Sequence, residues 1–286
     1  MLTRTILAVV VYLILKLCCY AQLPVVPTAL HSSGSGFPPG THNVIAWYSS
    51  ASLVTNASAV SPPSNGDNAA TWGDLSGHNY TLIRTNPSPV QPIYTNTGGP
   101  NGAPFVFTTP IGGSFTAYGM KTVGSGAAIA QPNTYYFVAS INPQEQTAAS
   151  DVAIMNGYAD QNGQISLHNS GSPPTNMVAY AGAPGATLNI NTVFPTPIFA
   201  PNWCIWTFQF NGASSLIRTN GVQAVSGQNF GSLGMNGLTL FNFFNASGSA
   251  WMGLTEFIWD NNGSSSADML LVEEYLATKY AIPNVP

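Results

Sequence analysis

Charge is what this sequence has least of: Asp, Glu, Lys and Arg together make up 6% of its 286 residues, against roughly 25% in an ordinary soluble domain. Two of its cations, Arg4 and Lys16, lie at the extreme N-terminus. The others, Arg84, Lys121, Arg218 and Lys279, stand against 10 carboxylates, so no basic face exists for nucleic acid. The segments 85–120 and 161–217 contain no Asp, Glu, Lys or Arg at all. A partner met there is met by neutral hydrogen bonding and aromatic contact, which suits neutral sugars or another protein better than phosphates.

Cysteine is equally scarce. Cys18 and Cys19 fall in an N-terminal leader and Cys204 stands alone in Trp203-Cys204-Ile205-Trp206, so no intrachain disulfide is expected and Cys204 reads as a small buried hydrophobe. The histidines, at 31, 42, 78 and 168, do not pair at zinc-ligand spacing. No Gly-x-Ser-x-Gly elbow occurs, which leaves a hydrolase triad without support. Loop carboxylates Asp67, Asp74, Asp151 and Asp160 could serve a structural calcium ion, but no segment alternates Asp and Asn densely enough for a dedicated calcium loop, and no cofactor is expected. Asp74, followed by Ser76-Gly77, reads first as a turn former bonded to its own backbone.

The leader has the order of a signal peptide: Arg4, an apolar run from Ile6 to Leu15, then small residues with cleavage between Ala21 and Gln22. Lys16 interrupts a run already short of the roughly 20 apolar residues that cross a bilayer, so no membrane association is expected once residues 1–21 are removed. Residues 22–42, with Pro24, Pro27, Pro38 and Pro39 among Gly and Ser, read as a linker.

From Val44 onward, short apolar or alternating runs are punctuated by Gly, Pro and Asn, the pattern of many strands and tight turns. Strands are expected at 44–48, 80–84, 104–108, 134–141, 151–156, 164–168, 176–181, 203–210, 214–219, 238–243 and 252–259. Asn211-Gly212 and Asp160-Gln161-Asn162-Gly163 mark two hairpins. One helix is expected near the end. Ser265 and Asp268 have capping-box spacing, Met269, Val272, Leu276 and Tyr280 recur at helical intervals, and Pro283 stops the run.

Several motifs occur in a telling order: Ile45-Ala46-Trp47-Tyr48, Thr71-Trp72-Gly73-Asp74, Asn101-Gly102-Ala103-Pro104-Phe105, the hairpin from Trp206 to Gly221, and Gly253-Leu254-Thr255-Glu256-Phe257-Ile258-Trp259-Asp260. Over about 43–283 this resembles the concanavalin A-like, laminin-G-like jelly-roll domains of secreted bacterial and phage proteins. The resemblance implies an all-β fold, a two-sheet antiparallel β-sandwich with one C-terminal helix, over 43–286. Asn211 departs from it, standing where such domains often place Asp.

Glycanases and polysaccharide lyases share that superfold, so their motifs must be sought. A retaining pair would be Glu256 and Asp260, which share a strand face, but Asp260 is expected to lie past the strand in a polar turn. A lyase would use Gln164 and His168, on one face by the period of two, together with arginine; none lies between Arg84 and Arg218. No catalytic residue is therefore assigned. Trp47, Trp203 and Trp206 are expected in the core, while Tyr158, Tyr180, Trp251 and Trp259 are the aromatics available to stack on sugar rings. Tyr158, Asn162, His168 and Tyr180 form the candidate ligand-facing surface. The expected role is a secreted carbohydrate- or surface-binding module without catalytic activity, partnered by a polysaccharide or glycan. The alternatives are a structural or adhesive component, partnered by proteins in a surface or viral assembly, and a divergent polysaccharide-degrading enzyme.

Overall fold

The computed structural model describes residues 36–52, 54–85, 92–108, 119–124, 126–142, 151–168, 176–189, 202–245 and 248–283. The expected signal peptide, the expected cleavage point between Ala21 and Gln22, and the first part of the expected linker lie outside them. Alternating apolar residues make strands that must each bury one face, and two antiparallel sheets do so against one another.

Sheet A contains β1 (Val44–Ser49), β5 (Ile93–Thr95), β6 (Phe105–Thr108), β8 (Asn133–Ile141), β13 (Cys204–Phe210), β14 (Ser215–Thr219), β15 (Val222–Gln228) and β17 (Met252–Asp260). Its order is β15-β14-β13-β8-β17-β6-β5, with β1 also on β17. Sheet B contains β2 (Val54–Thr55), β3 (Thr71–Trp72), β4 (Leu82–Arg84), β7 (Met120–Thr122), β9 (Val152–Asn156), β10 (Gln164–His168), β11 (Asn176–Tyr180), β12 (Ala186–Asn189) and β16 (Thr239–Leu240). It runs β12-β11-β10-β9-β16-β7-β4-β3-β2.

Between the sheets lies one apolar core. Leu82, Met120, Leu240, Met155, Ile165 and Ala179 face it from sheet B. From sheet A, Phe137 stacks on Phe208 (centroids 5.8 Å apart), Phe257 (6.1 Å) and Trp206 (6.3 Å). Each such side chain contributes roughly 1.5–3 kcal/mol through apolar burial. Cys204 is among these core residues, and burial pushes its thiol up. Trp206 and Trp259 are fully buried, whereas Trp47 and Trp203, which the sequence places in the core, are half-buried at its edges.

The outer face of sheet A is covered by α1 (Ser266–Tyr280), the only α-helix among the described residues outside which every element is a strand or a short turn. Its capping box forms as expected. Ser265 Oγ accepts from Asp268 N–H while Asp268 accepts from Ser265 N–H, and Ala281 closes the C-terminus in the left-handed region. Met269, Val272, Leu276 and Tyr280 pack on Tyr136, Val138, Ile205 and Ile258 of sheet A.

Beneath this helix Glu273 is 1% exposed. It accepts from Arg218 Nε at 2.9 Å, Arg218 Nη2 at 2.8 Å and Thr207 Oγ1 at 2.7 Å. Glu256, at 0% exposure, accepts from Trp47 Nε1 at 2.8 Å, Lys279 Nζ at 2.6 Å and the Tyr280 hydroxyl. Buried charges of this kind are tolerated only when paired and fully hydrogen-bonded.

Two expectations change. The folded body begins at Phe37, not at 43: Phe37 packs edge-on against Trp47 at 6.2 Å, and His42 and Asn43 donate backbone N–H groups to Asp260. Asp260 is the last residue of β17, opposite Val44, and not past the strand, because pairing with β1 holds the chain extended there. The hairpin expected at Asn211-Gly212 forms, β13 pairing with β14 across a short 3-10 turn over Gly212–Ser214. The two-residue turn with positive φ is Asn220-Gly221 (φ 47 and 79), joining β14 to β15.

Removing one partner of a buried pair leaves an uncompensated charge. Arg218→Met alone is expected to lower stability by roughly 3–5 kcal/mol, and Arg218→Met/Glu273→Leu to recover most of that loss. Urea denaturation of the three proteins checks it; a double variant as unstable as the single one would show that packing, not charge, dominates there.

Candidate functional site

With α1 on sheet A, the outer face of sheet B is the broad sheet surface left to meet a partner. Directly paired residues on antiparallel strands share a face, so the register spells out its side chains. Thr55 pairs with Thr71, Thr71 with Ile83, Ile83 with Lys121, Lys121 with Thr239 and Thr239 with Asn156. Met155 pairs with Ile165, which sets Asn156 beside Gln164, and Gln164 pairs with Tyr180. One row of hydroxyl, amide and phenol side chains thus crosses the sheet from β2 to β11.

Its inward neighbours Val54, Trp72, Leu82, Met120, Leu240 and Met155 are all core residues, which confirms that the row points away from the core. A bulge in β9 between its pairings with Ile165 and Ser166 sets this phase. Without it, the uniformly buried β9 would carry no alternation to read.

The row is open at its ends and closed in its middle. Thr55, Thr71 and Ile83, with Asn56 and Arg84, line a shallow pocket of about 420 Å³. At the other end Tyr180 is half-buried, and a second row holds Ser166 opposite Val178 and His168 opposite Asn176. In between, Thr239 and Asn156 are 0% exposed and Gln164 is 6% exposed. Thr239 Oγ1 donates to Gly157 O and Gln164 Nε2 to Ser166 Oγ. Neither Nδ2 nor Oδ1 of Asn156 has a hydrogen-bond partner, although a buried amide so placed costs about 1–3 kcal/mol of desolvation.

The one cation of the row, Lys121, is already engaged: its Nζ lies 3.9 Å from the centroid of the Tyr158 ring, and desolvation pulls its pKa down. Tyr158 itself is half-buried on the link from β9 to β10.

Of the residues singled out from the sequence, Tyr180 and His168 stand on this outer face and Tyr158 flanks it. Asn162 does not join them: its backbone N–H and Nδ2 bond Asp160 in a turn. His168 Nδ1 lies 2.8 Å from Asp151 Oδ1. Trp251 is half-buried before β17, and Trp259, offered as a stacking platform, is instead enclosed in the core with Nε1 on Asn133 Oδ1 at 2.8 Å. Asn156, Thr239 and Lys121 were missed because their orientation depends on pairing.

The loop carboxylates are committed locally. Asp74 accepts from Trp47 N, Ser76 N, Ser76 Oγ and Tyr80 N, closing its turn as expected and tying it to β1. Asp67 accepts from Asn56 Nδ2 and Ser64 N. Among the described residues no three His, Cys, Asp or Glu side chains gather as a metal site, and no helix is long and apolar enough to cross a membrane. Glu256 and Asp260 do share a face of β17, but that face lies under α1 and both are bonded into it. Burial raises the Asp260 pKa, opposed by the N–H groups of Asn43 and His42.

Two outcomes are expected. Asn156→Leu removes an unpartnered buried amide and should raise stability by about 1 kcal/mol in urea denaturation; a loss of that size would mean the amide is satisfied. For Asp260, a carboxyl whose folded pKa exceeds its unfolded one favours folding below the unfolded pKa and loses that contribution as pH rises through the folded pKa. Measured from pH 7 downward into the carboxylate range, native stability should therefore rise relative to Asp260→Asn, and parallel profiles would contradict the assignment.

Comparison with known proteins finds no matching family model and no matching curated sequence. Solved structures do match in fold. Domain 4 of AbnA, an extracellular arabinanase from Geobacillus stearothermophilus solved with arabinotriose, aligns with TM-score 0.52 and 15% identity over 82% of this chain and 98% of that one. A mutant α-L-arabinofuranosidase gives TM-score 0.54 at 12% identity over 83% of this chain and 63% of the other. The sialidase of Trypanosoma rangeli with sialic acid gives 0.51 at 8% identity, over 86% of this chain but 36% of that one. At such identities the likeness concerns the fold: this chain is an antiparallel two-sheet β-sandwich with a C-terminal helix.

Proposed function

We propose that this chain is a secreted, concanavalin A-like module that binds a neutral glycan at the open ends of the outer face of sheet B and does no chemistry on it. The carrying observation is the in-register row from Thr55 to Tyr180, whose groups are neutral hydrogen-bonding side chains apart from Ile83 and a lysine already seated on Tyr158. Hydroxyls and amides match the alternating donors and acceptors of a sugar, and Tyr180 and Tyr158 supply aromatic surface with a polar tip. Asn156, Thr239 and Gln164 are closed off in the middle of the row, so the contacts on offer lie at its two ends, around Thr55, Thr71 and Ile83 and around Tyr180. The neighbours solved with arabinotriose and sialic acid add support at the level of fold.

The non-catalytic reading draws on the placement of the carboxylates. Glu256 and Asp260 lie on the face of β17 that α1 covers and Glu273 on the inner face of α1 itself, all bonded to structural donors, and the outer row contains no carboxylate. Gln164 and His168 share the outer face, yet no arginine stands in the row beside them.

A second reading, assembly into a surface layer or particle, is favoured by β15. This edge strand of Val222–Gln228 is mostly exposed and carries no charge, whereas edges are commonly guarded by lysine or proline. Light scattering of the mature chain separates the two: a large ordered oligomer supports assembly, a monomer the binding module.

The glycan reading is tested on an array of neutral and acidic polysaccharides with the mature chain and Tyr180→Ala. Binding to a neutral polysaccharide is expected, weakened about tenfold by the substitution, equivalent to roughly 1.4 kcal/mol. Absence of binding to every glycan, or an unchanged affinity in Tyr180→Ala, would remove the outer face of sheet B as the site.

A further inference from the structure

At the C-terminal end of α1, on the sheet A side of the sandwich, a pocket of about 380 Å³ is lined by Asn101, Asn202, Trp203, Asn220, Tyr280 and Ile282 together with neighbouring backbone. That volume falls within the range of small-molecule sites. No Asp, Glu, Lys or Arg lines it.

The tryptophan is seated by construction. Trp203 lies edge-on to Phe105 at 5.2 Å, and its ring rests against the backbone of Gly253, where an added Cβ would come within 2.8 Å of Cη2. Glycine at 253 is therefore what allows the indole to pack this closely against β17 while the ring stays half-buried. The amides are held as well. Asn220 Oδ1 accepts from Ile205 N–H at 2.8 Å, and Asn101 Nδ2 reaches Lys279 O at 3.4 Å, leaving Asn101 Oδ1 unused at an exposed rim. Tyr280, whose hydroxyl is fixed on Glu256, forms the inner wall.

A fixed indole ringed by neutral amides, with no ionised group in the lining, selects for a neutral polyhydroxylated ring. We infer that this pocket is a second glycan subsite, taking one end or one unit of a neutral saccharide, so that a single chain engages glycan on both sides of the sandwich and can bridge two strands of it. This rests on the reading of the sheet B face as a glycan site. Two sites on one rigid body raise apparent affinity for a multivalent polysaccharide with no new contact.

The test titrates the mature chain by calorimetry with a panel of arabinotriose, xylotriose, mannotriose and cellotriose. Beads coated with the matching polysaccharide then report bridging. Two sites per chain are expected for the native protein and one each for Trp203→Ala and Tyr180→Ala, with beads bridged by the native protein only. Because Trp203→Ala removes packing, Asn101→Gly serves as the second variant. It keeps the backbone, whose φ of 54 glycine adopts freely, and should weaken the pocket site at least about threefold with Tm unchanged.

One site per chain, insensitive to both pocket variants, would overturn the second subsite while leaving the sheet B reading intact. No binding to any trisaccharide or polysaccharide would remove both.

Discussion

Two of the four cations beyond the leader, Arg218 and Lys279, are committed beneath α1, and most of the architecture follows from that. Arg218 reaches Glu273 of the helix from β14, and Lys279 reaches from the helix to Glu256 of β17, so the helix is clamped to sheet A at its middle and its end by opposite polarities. Burial alone would pull the Lys279 pKa down, but Glu256 beside it reverses the direction. Buried pairs of this sort are weak contributors to net stability, yet costly to break singly. What they fix is position: the helix cannot slide along sheet A without stranding a charge.

That clamp makes the two outer faces of the sandwich unequal. Sheet A is sealed by apolar residues of α1, and its carboxylates, including the pair that a glycanase of this shape would use, are enclosed there. Sheet B keeps its outer side for hydroxyls and amides. The scarcity of charge has a different meaning on each face: under the helix the few ions serve as fasteners, while the outer row of sheet B holds mostly neutral groups, whose hydrogen bonds carry direction and little long-range field.

The long strands were legible because each has enough residues for an apolar pattern to repeat. β8, β10, β13 and β17 fall within a residue or so of the runs that announce them, and the capping box at Ser265 and Asp268 locates the helix start. The shortest strands are harder to read. β2 and β3, which no expected run covers, have two residues each, which is no period at all, and of the run expected at 238–243 only Thr239 and Leu240 are paired as β16; all three exist because neighbouring strands supply partners. β15, with the sequence VQAVSGQ, lacks an apolar alternation because it is an edge with little to bury. The site shows the same division. Tyr180 and His168 announced themselves by chemistry, but Asn156 ends an apolar run and its outward aim is set by the bulge in β9. Trp259 misled for the converse reason, since an aromatic near a polar turn reads as exposed until Tyr80 and Tyr135 are seen packed against it at 5.9 Å.

In the proposed reading, Tyr180 and Trp203 are solutions to the same problem on the two sides of the sandwich. A neutral ligand offers no charge to attract it, so affinity must come from surfaces prepared before it arrives. At Tyr180 the preparation is the seat of the ring against Gly185, where an added Cβ would come within 2.6 Å of its Cδ2. At Trp203 it is of the same kind: a ring packed into the space left by the missing side chain of Gly253 and edge-on to Phe105, so that little rotamer freedom is lost on contact. A protein that placed ionic groups at both sites would gain range and lose discrimination between neutral and acidic glycans. The scarcity of ions at the surface and the preorganisation of these two positions are therefore one design: the second is what makes the first workable.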